Sequence, residues 1–310
     1  MKIVLAGGTG FLGGPLTARL AARGHEIVVL SRGGGTRDGA VRTVAWQPDS
    51  AAGSATGLGQ TWATEVDGAD AVVNLAGAGI ADERWSARRK DVLRQSRISS
   101  TRSLVAAIRR AAGTPPVFLS GSAVGYYGAT GDEPLDESFP PGSDFLAKLC
   151  VDWEAEAQAA LALGCRLAVI RTGVVLARDG GALKKLIPPF LAFAGGPISS
   201  GRQFMSWIHR EDWIALVVWA LEHAEVSGVL NATAPSPVTN RDFSKALGHA
   251  LHRPSWLTMP ALGLRALVGE MADVALVSGQ RVVPKRALEL GFTFAYPHID
   301  DTLRAAVSSR

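Results

Sequence analysis

The stretch Met1-Lys2-Ile3-Val4-Leu5-Ala6-Gly7-Gly8-Thr9-Gly10-Phe11-Leu12-Gly13 decides how the rest of the chain is read. An apolar run, Ile3 to Ala6, stops at a glycine cluster, and a helical pattern starts at once. Strand, glycine turn and helix in that order are the setting a dinucleotide-binding loop requires. Gly7 permits the tight turn, Gly10 lets backbone approach a pyrophosphate, and Gly13 lets the helix pack closely on the strand. The free N–H groups and positive end of such a helix face the phosphates.

Working outward, strand-like runs alternate with helical stretches: Glu26–Leu30, Val41–Trp46, Ala71–Leu75, Val117–Ser120 and Leu167–Arg171. That alternation predicts an α/β fold, a Rossmann doubly wound parallel sheet with helices on both faces. Gly33-Gly34-Gly35 and Ala51 to Gly59 read as surface loops. The character changes after about residue 175. Gly180-Gly181, Pro188-Pro189 and Gly195-Gly196-Pro197 punctuate the chain, a strand-like piece covers Gly228–Ala232, and a helix covers Arg241–Leu251. The expected division is a dinucleotide-binding domain over 1–175, with contributions from about 203–232. A smaller substrate-side lobe takes 176–310, including an apolar, helix-rich cap over about 253–310.

The composition sets limits. With 47% hydrophobic and 19% charged residues in 310, the chain has the makeup of a globular protein rather than a disordered one. A net charge of +4 is too small for this length to argue for nucleic acid. The apolar run Ile214 to Leu221 is too short to span a bilayer. Two cysteines, Cys150 and Cys165, supply neither a disulfide framework nor a metal site, and the six histidines show no ligand spacing. No export leader precedes the first strand, so reduced thiols in a cytoplasmic protein are expected, with no metal, membrane or nucleic-acid partner.

The second strand ends in Ser31-Arg32. No acid stands at positions 30–37, whereas Arg32 and Arg37 do. An acid there suits the ribose 2′-hydroxyl of NAD, and an arginine suits a 2′-phosphate, so NADP(H) is preferred over NAD(H). Asn74-Leu75-Ala76-Gly77 ends a later strand in small residues that leave room for the cofactor, and Ser120-Gly121-Ser122-Ala123 ends another in hydroxyls.

These pieces together resemble the extended short-chain dehydrogenase/reductases, the superfamily of nucleotide-sugar epimerases and dehydratases. The glycine loop carries the resemblance, with Asn74–Gly77, Ser120–Ala123, Arg171-Thr172-Gly173-Val174-Val175-Leu176 and Phe204 to Asp212. Four further segments resemble an atypical subgroup, the epimerase family proteins (NAD-dependent epimerase/dehydratase-like, with a C-terminal cap). They are Arg84-Trp85, Ser96-Arg97 with Thr101, Gly201-Arg202-Gln203, and Ser278 to Pro284. The resemblance implies cofactor contacts from Gly7, Thr9, Gly10, Phe11, Leu12, Gly13, Ser31, Arg32, Leu75, Ala76, Gly77, Ser120, Gly121, Arg171, Gly173 and Val174. It places Arg84 and Arg97 on the cleft, where they meet an anionic ligand. Gln203 and Trp207 are expected on the substrate side, and Gln280, Arg281 and Lys285 are weaker candidates. His209, near Asp212, is expected to hold the cap against the core.

In the wider family the chemistry rests on a serine and a Tyr-x-x-x-Lys helix, where lysine and cofactor charge lower the tyrosine pKa. Here Ser122 takes the serine slot. If Lys148 is the family lysine, the tyrosine slot holds Asp144; one residue later it holds Phe145. Three groups stand in for the missing phenol. Tyr126 or Tyr127 supplies one from the turn after Ser122; Asp144 is a carboxylate base or a helix N-cap; Lys148 is a cationic donor or a ribose contact. The catalytic set read from the sequence is therefore Ser122, Tyr127 and Lys148. The function expected is an NADP(H)-dependent oxidoreductase or nucleotide-sugar epimerase-like enzyme acting on a small, anionic or nucleotide-linked substrate. The alternative is a non-catalytic NADP(H)-binding redox sensor or partner-binding protein.

Overall fold

The computed structural model describes residues 1–33, 35–48 and 62–308. Gly34 and the segment 51–59, both read as loops, lie outside the described residues. Strand β1 (Lys2–Ala6) leads through the glycine turn into α1 (Gly13–Ala22) and β2 (Glu26–Ser31). Then come β3 (Arg37–Asp38), β4 (Val41–Ala45), β5 (Ala71–Asn74), the long α2 (Ala87–Arg110) and β6 (Val117–Ala123). A 3-10 turn (Val124–Tyr127) and β7 (Pro134–Leu135) precede α3 (Phe145–Gln158), β8 (Arg166–Thr172) and β9 (Val174–Ala177).

The second part begins with α4 (Gly181–Leu191), β10 (Phe204–Met205), β11 (Trp207–His209) and α5 (Arg210–Glu222). It continues with β12 (Gly228–Ala232), β13 (Val238–Thr239), α6 (Asn240–Leu251) and α7 (Ala261–Val268). A short π-helix (Ala272–Val277), β14 (Arg281–Val282), α8 (Lys285–Glu289) and α9 (Ile299–Ser308) complete it.

Eight strands form one sheet in the order β12-β8-β6-β5-β1-β2-β4-β3, parallel except for the β3–β4 edge pair. Strand order reverses across β1, where β5 lies on one side and β2 on the other. Ligands bind outside the carboxyl ends of the strands at such a switch point. Side chains alternate across β1: Ile3 and Leu5 join α1 and α5 in one core, Val4 and Ala6 join α2 in the other. Such two-sided burial explains why the sheet strands read as unbroken apolar runs.

Pro188 and Pro189 do not break the chain as expected; both lie inside α4. Each removes a helix hydrogen bond at a cost of roughly 3 kcal/mol. Burial of Leu183, Ile187 and Phe190 in the lobe's core offsets this, and the helix ends two residues later. No helix among the described residues is long and apolar enough to cross a membrane.

The C-terminal segment is clamped to α5. The buried Asp212 carboxylate accepts the backbone N–H groups of Ala295 (2.8 Å) and Tyr296 (2.9 Å). His209 caps α5 through Nδ1, which accepts from Glu211 N, and its ring stacks 4.0 Å from Tyr296. Burial pushes this imidazole below its ordinary pKa. Asp212→Asn replaces a charged acceptor of two amides, and a loss of about 1–3 kcal/mol is expected. Thermal unfolding checks this: the midpoint should fall by several degrees, and an unchanged midpoint would refute the clamp.

Candidate active site and cofactor crevice

The glycine loop is built so tightly that side chains are excluded. Gly7 has φ +83°, and a Cβ there would lie 2.7 Å from the Leu75 carbonyl carbon. A Cβ on Gly13 would lie 2.1 Å from Gly7 O. The loop after β1 and the loop after β5 therefore touch, which brings Gly7, Leu75 and Ala76 together at the switch point. Helix α1 starts without a side-chain cap and without an acid in its first turn. Gly14 N–H donates to Gly10 O (2.8 Å) and Pro15 has no N–H, so of the first turn it is the Gly13 N–H, without a partner among the described residues, that is left for an anion. Thr9 and Gly10 are exposed at the rim. Arg32, exposed beyond the end of β2, makes no ion pair among the described residues. The residues present fit a bound dinucleotide: a turn whose Gly7 and Gly13 admit no Cβ, a helix start with the Gly13 N–H free and no acid beside it, and a cation without an ion pair at the end of β2.

Phe11 has a second role. Its ring lies against the backbone of Gly180 and Gly181, where a Cβ would fall 2.3 and 2.9 Å from ring atoms, and Arg210 sits 5.5 Å over it. The Gly-Gly pair is therefore a seat for Phe11 at the start of α4. Gly173 is likewise packed against Ser206 O, which a Cβ would approach to 2.5 Å. With Val174, whose N–H donates to Ser206 O, it joins β9 to β11. Both serve strand packing, and both are part-buried.

Ser122, Arg171 and Asn231 sit opposite one another on β6, β8 and β12. Same-register residues on parallel neighbours share a face, and here they meet Glu154 of α3. Arg171 Nε and Nη2 each donate to a Glu154 oxygen at 2.8 Å, and Ser122 Oγ donates to Oε1 at 2.6 Å. Arg171 Nη1 donates to the Tyr127 hydroxyl (3.0 Å), which donates to Asn231 Oδ1 (2.8 Å). Glu137 accepts Asn231 N–H and is pushed up in pKa by burial. Tyr126 stacks on the Arg171 guanidinium with 3.3 Å to the ring centroid.

Several expectations are corrected by this network. Tyr127 is 0% exposed, and burial pushes its phenol up to about 12, so it is a sealed structural group. Arg171 is consumed by Glu154 and does not reach the crevice. Ser120 is fully enclosed, its hydroxyl donating to Gly121 O, while Gly121 packs on Trp153 and Asn74 O. Trp207 is 0% exposed in the lobe's core, not on a substrate wall. Gln203 sits nearby, donating through Nε2 to Ile198 O.

Helix α3 turns a different face to Ser122 than the sequence suggested. Asp144 is its N-cap, its carboxylate accepting from Ala147 N–H at 2.9 Å. Lys148 is exposed. The positions four apart that face β6 are Leu146, packed on Gly125, and Cys150, beside Ser122 and the Ala123 backbone. Burial pushes the Cys150 thiol up to about 12. Ser122, Tyr127 and Lys148 are therefore not brought together.

Of the arginines read as cleft-facing, Arg84 is exposed and lies on the cap, its Nη1 donating to Ala266 O and its Nε against Gly269. Arg97 is tucked beneath Gly77. The tail is fastened below the 3-10 turn: Gln280 Nε2 donates to Val124 O, and Lys285 pairs with Asp136. Arg281 lies 5.1 Å over Phe204. Glu154 and Asn231 were missed by sequence reading. The one available signal was their register with Ser122 and Arg171, which a linear motif does not carry.

The sequence profile of the NAD dependent epimerase/dehydratase family matches residues 3–232, and that of a domain of unknown function, DUF1731, matches residues 259–306. The chain belongs to the NAD dependent epimerase/dehydratase family. It is similar to the chloroplastic epimerase family protein SDR39U1 homolog of Arabidopsis thaliana, 43% identical over 307 residues, covering 98% of this chain and 86% of that protein. Among solved structures it is similar to human epimerase family protein SDR39U1 with NADPH, at TM-score 0.87, 34% identity and 100% of each chain. It is also similar to a nucleoside-diphosphate sugar epimerase from Corynebacterium glutamicum (TM-score 0.77, 31% identity), covering 99% of this chain and 58% of that one.

Two outcomes test the network. Glu154→Gln leaves Arg171 buried without its counter-charge, and denaturant unfolding should show a loss of about 3–5 kcal/mol. The pKa of Tyr127 is raised in the fold, so the stability it contributes is full below pH ~10 and lost as pH rises toward 12. Ultraviolet titration of the three tyrosines should show one late step, absent in Tyr127→Phe. Three coincident steps would refute the burial.

Proposed function

We propose that this chain is an NADP(H)-dependent oxidoreductase or epimerase-like enzyme acting on a small, anionic or nucleotide-linked substrate. The observation that carries this reading is the crevice at the β1 switch point, with its glycine cradle, uncapped helix start and unpaired Arg32. NADPH in the human relative's structure supports the cofactor choice. The bound nucleotide supplies or accepts the hydride. Gly7 to Gly13 hold its pyrophosphate, Ser31 and Arg32 its 2′-phosphate, and Ala76 and Gly77 line its path.

Proton transfer falls to Tyr126 rather than Tyr127. Tyr126 is part-exposed, its hydroxyl has no partner among the described residues, and its ring rests on Arg171. Ser122 is buried, and its bond to Glu154 positions the Arg171 guanidinium on which Tyr126 rests. A second reading, a non-catalytic NADP(H)-binding redox sensor, is favoured by the dispersal of Ser122, Tyr127 and Lys148.

Titration with NADPH and NADH separates the cases. Charge-assisted bonds from Arg32 should favour NADPH by about 1.5–3 kcal/mol, and Arg32→Ala should erase the difference. Tyr126→Phe should slow hydride transfer to carbonyl compounds roughly 100-fold with NADPH affinity unchanged. A rate indifferent to Tyr126→Phe and Ser122→Ala removes these roles. NADPH binding with no turnover of any carbonyl compound favours the sensor.

A further inference from the structure

The loop after β5 divides its backbone groups in one direction. Four successive carbonyls accept side-chain donors: Ala78 O from Arg97 Nη1, Gly79 O from Arg89 Nη2, Ile80 O from Trp85 Nε1, and Ala81 O from Lys185 Nζ of α4. The N–H of Gly77, an exposed residue at the near end of this run, has no partner among the described residues. At the far end, the Asp82 carboxylate lies against Gly79, so negative charge is already present there.

The basic side chains of α2 fall into three groups. Arg89 meets Asp82 and Glu83, Lys90 meets Glu270, Arg94 meets Asp152, and Arg102 meets Glu156. Arg88, Arg109 and Arg110 are exposed to water. Arg97 is half-buried and pairs with no carboxylate among the described residues. Its Nη1 donates to Ala78 O and Leu93 O, and its guanidinium lies 5.2 Å from the Trp153 ring. The charged or ionisable groups acting on it are the Cys150 thiol and a second cation, Arg89. Burial holds its pKa below the ordinary arginine value.

Removing a cation from water without a counter-charge is costly. The Arg97 Nε and Nη2 edge carries donors without a partner among the described residues, yet it is not sealed from solvent. Gly77 stands directly over the guanidinium: a Cβ there would lie 3.1 Å from Arg97 Cζ. Through Leu75 the same loop touches Gly7, so this edge borders the nucleotide crevice.

We propose that the Nε–Nη2 edge of Arg97 and the Gly77 N–H form an oxyanion subsite, which takes a carboxylate or phosphate group of the substrate beside the bound nucleotide. The planar fork of a guanidinium matches both groups in two-point contact. The subsite names the substrate class as one carrying such a group, and it rests on the cofactor reading given above.

The test uses the full chain saturated with NADPH, titrated calorimetrically with inorganic pyrophosphate and with malonate. At least one probe should bind, and Arg97→Gln should weaken it roughly 10- to 100-fold. Arg97→Lys, whose ammonium still reaches the Ala78 carbonyl but lacks the fork, should weaken it as well. NADPH affinity should stay within about twofold in both variants, and Arg97→Lys serves alone if Arg97→Gln does not fold. The proposal is overturned if the NADPH complex takes up neither probe, or if the variants bind as tightly as the wild type. Binding to the free protein that NADPH displaces assigns the edge to the cofactor's own phosphates and also overturns it. A wild-type protein that binds no NADPH brings down the cofactor reading first, a result visible before any probe is added.

Discussion

The buried pair of Arg171 and Glu154 is the interaction on which the site depends. It joins the carboxyl end of β8 to α3, and through Ser122, Tyr127 and Asn231 it also fixes β6, the 3-10 turn and β12. An arginine in this position spends three donor nitrogens on two partners, Glu154 and Tyr127, and lends its face to Tyr126. A network of this kind rigidifies when every member is satisfied and is costly when one is missing. Its saturation sets where polar groups remain free: not in the sheet, but in the loops above it.

Those loops use two kinds of constraint. Around Gly7 and Gly13 the constraint is steric, since no side chain fits between β1, α1 and the loop after β5. Around Arg97 it is electrostatic, since a half-buried cation lies where neighbouring cations have found acids and it has not. Both conditions leave donors facing one crevice. Several N–H groups of these loops are already spent, Ala76 on Asn74, Ala78 on Ser96 and Gly14 on Gly10, and that of Gly77 is among those left over.

Much of the fold was legible because the central strands β1, β2, β5, β6 and β8 are buried on two faces and therefore read as short apolar runs, whereas the exposed edge strand β3 carries no such signal in Arg37-Asp38. The glycine loop was legible for the same local reason. The catalytic groups were not. Asp144 and Lys148 are four apart, as a motif demands, but the helix presents Leu146 and Cys150 to Ser122, a shift of two residues that carries Lys148 to the opposite side. Trp207 and Tyr127 look like cleft aromatics in the sequence, and only packing shows them sealed. Gly173 and Gly180-Gly181 announce backbone crowding, yet which neighbour crowds them (Ser206 or Phe11) is set by tertiary contact. Arg84 and Arg97 read alike in the sequence; one is out on the cap and the other under Gly77.

The clamp between α5 and residues 295–296 bears on how the chain is made. Phe292 and Phe294 belong to the same core as Ile3, Leu5 and α5, and α9 shares the lobe's core with α4 and α6. During synthesis the first strand precedes by some 290 residues the aromatic pair that packs on α5 and completes the core they share. At about 5–20 residues per second, that is a gap on the order of 15–60 s, over which α1 and then α5 join the core before the pair completes it. The core shared by β1, α1 and α5 is therefore completed by a segment almost the whole sequence away, and its final closure is tied to the Asp212 clamp on residues 295–296.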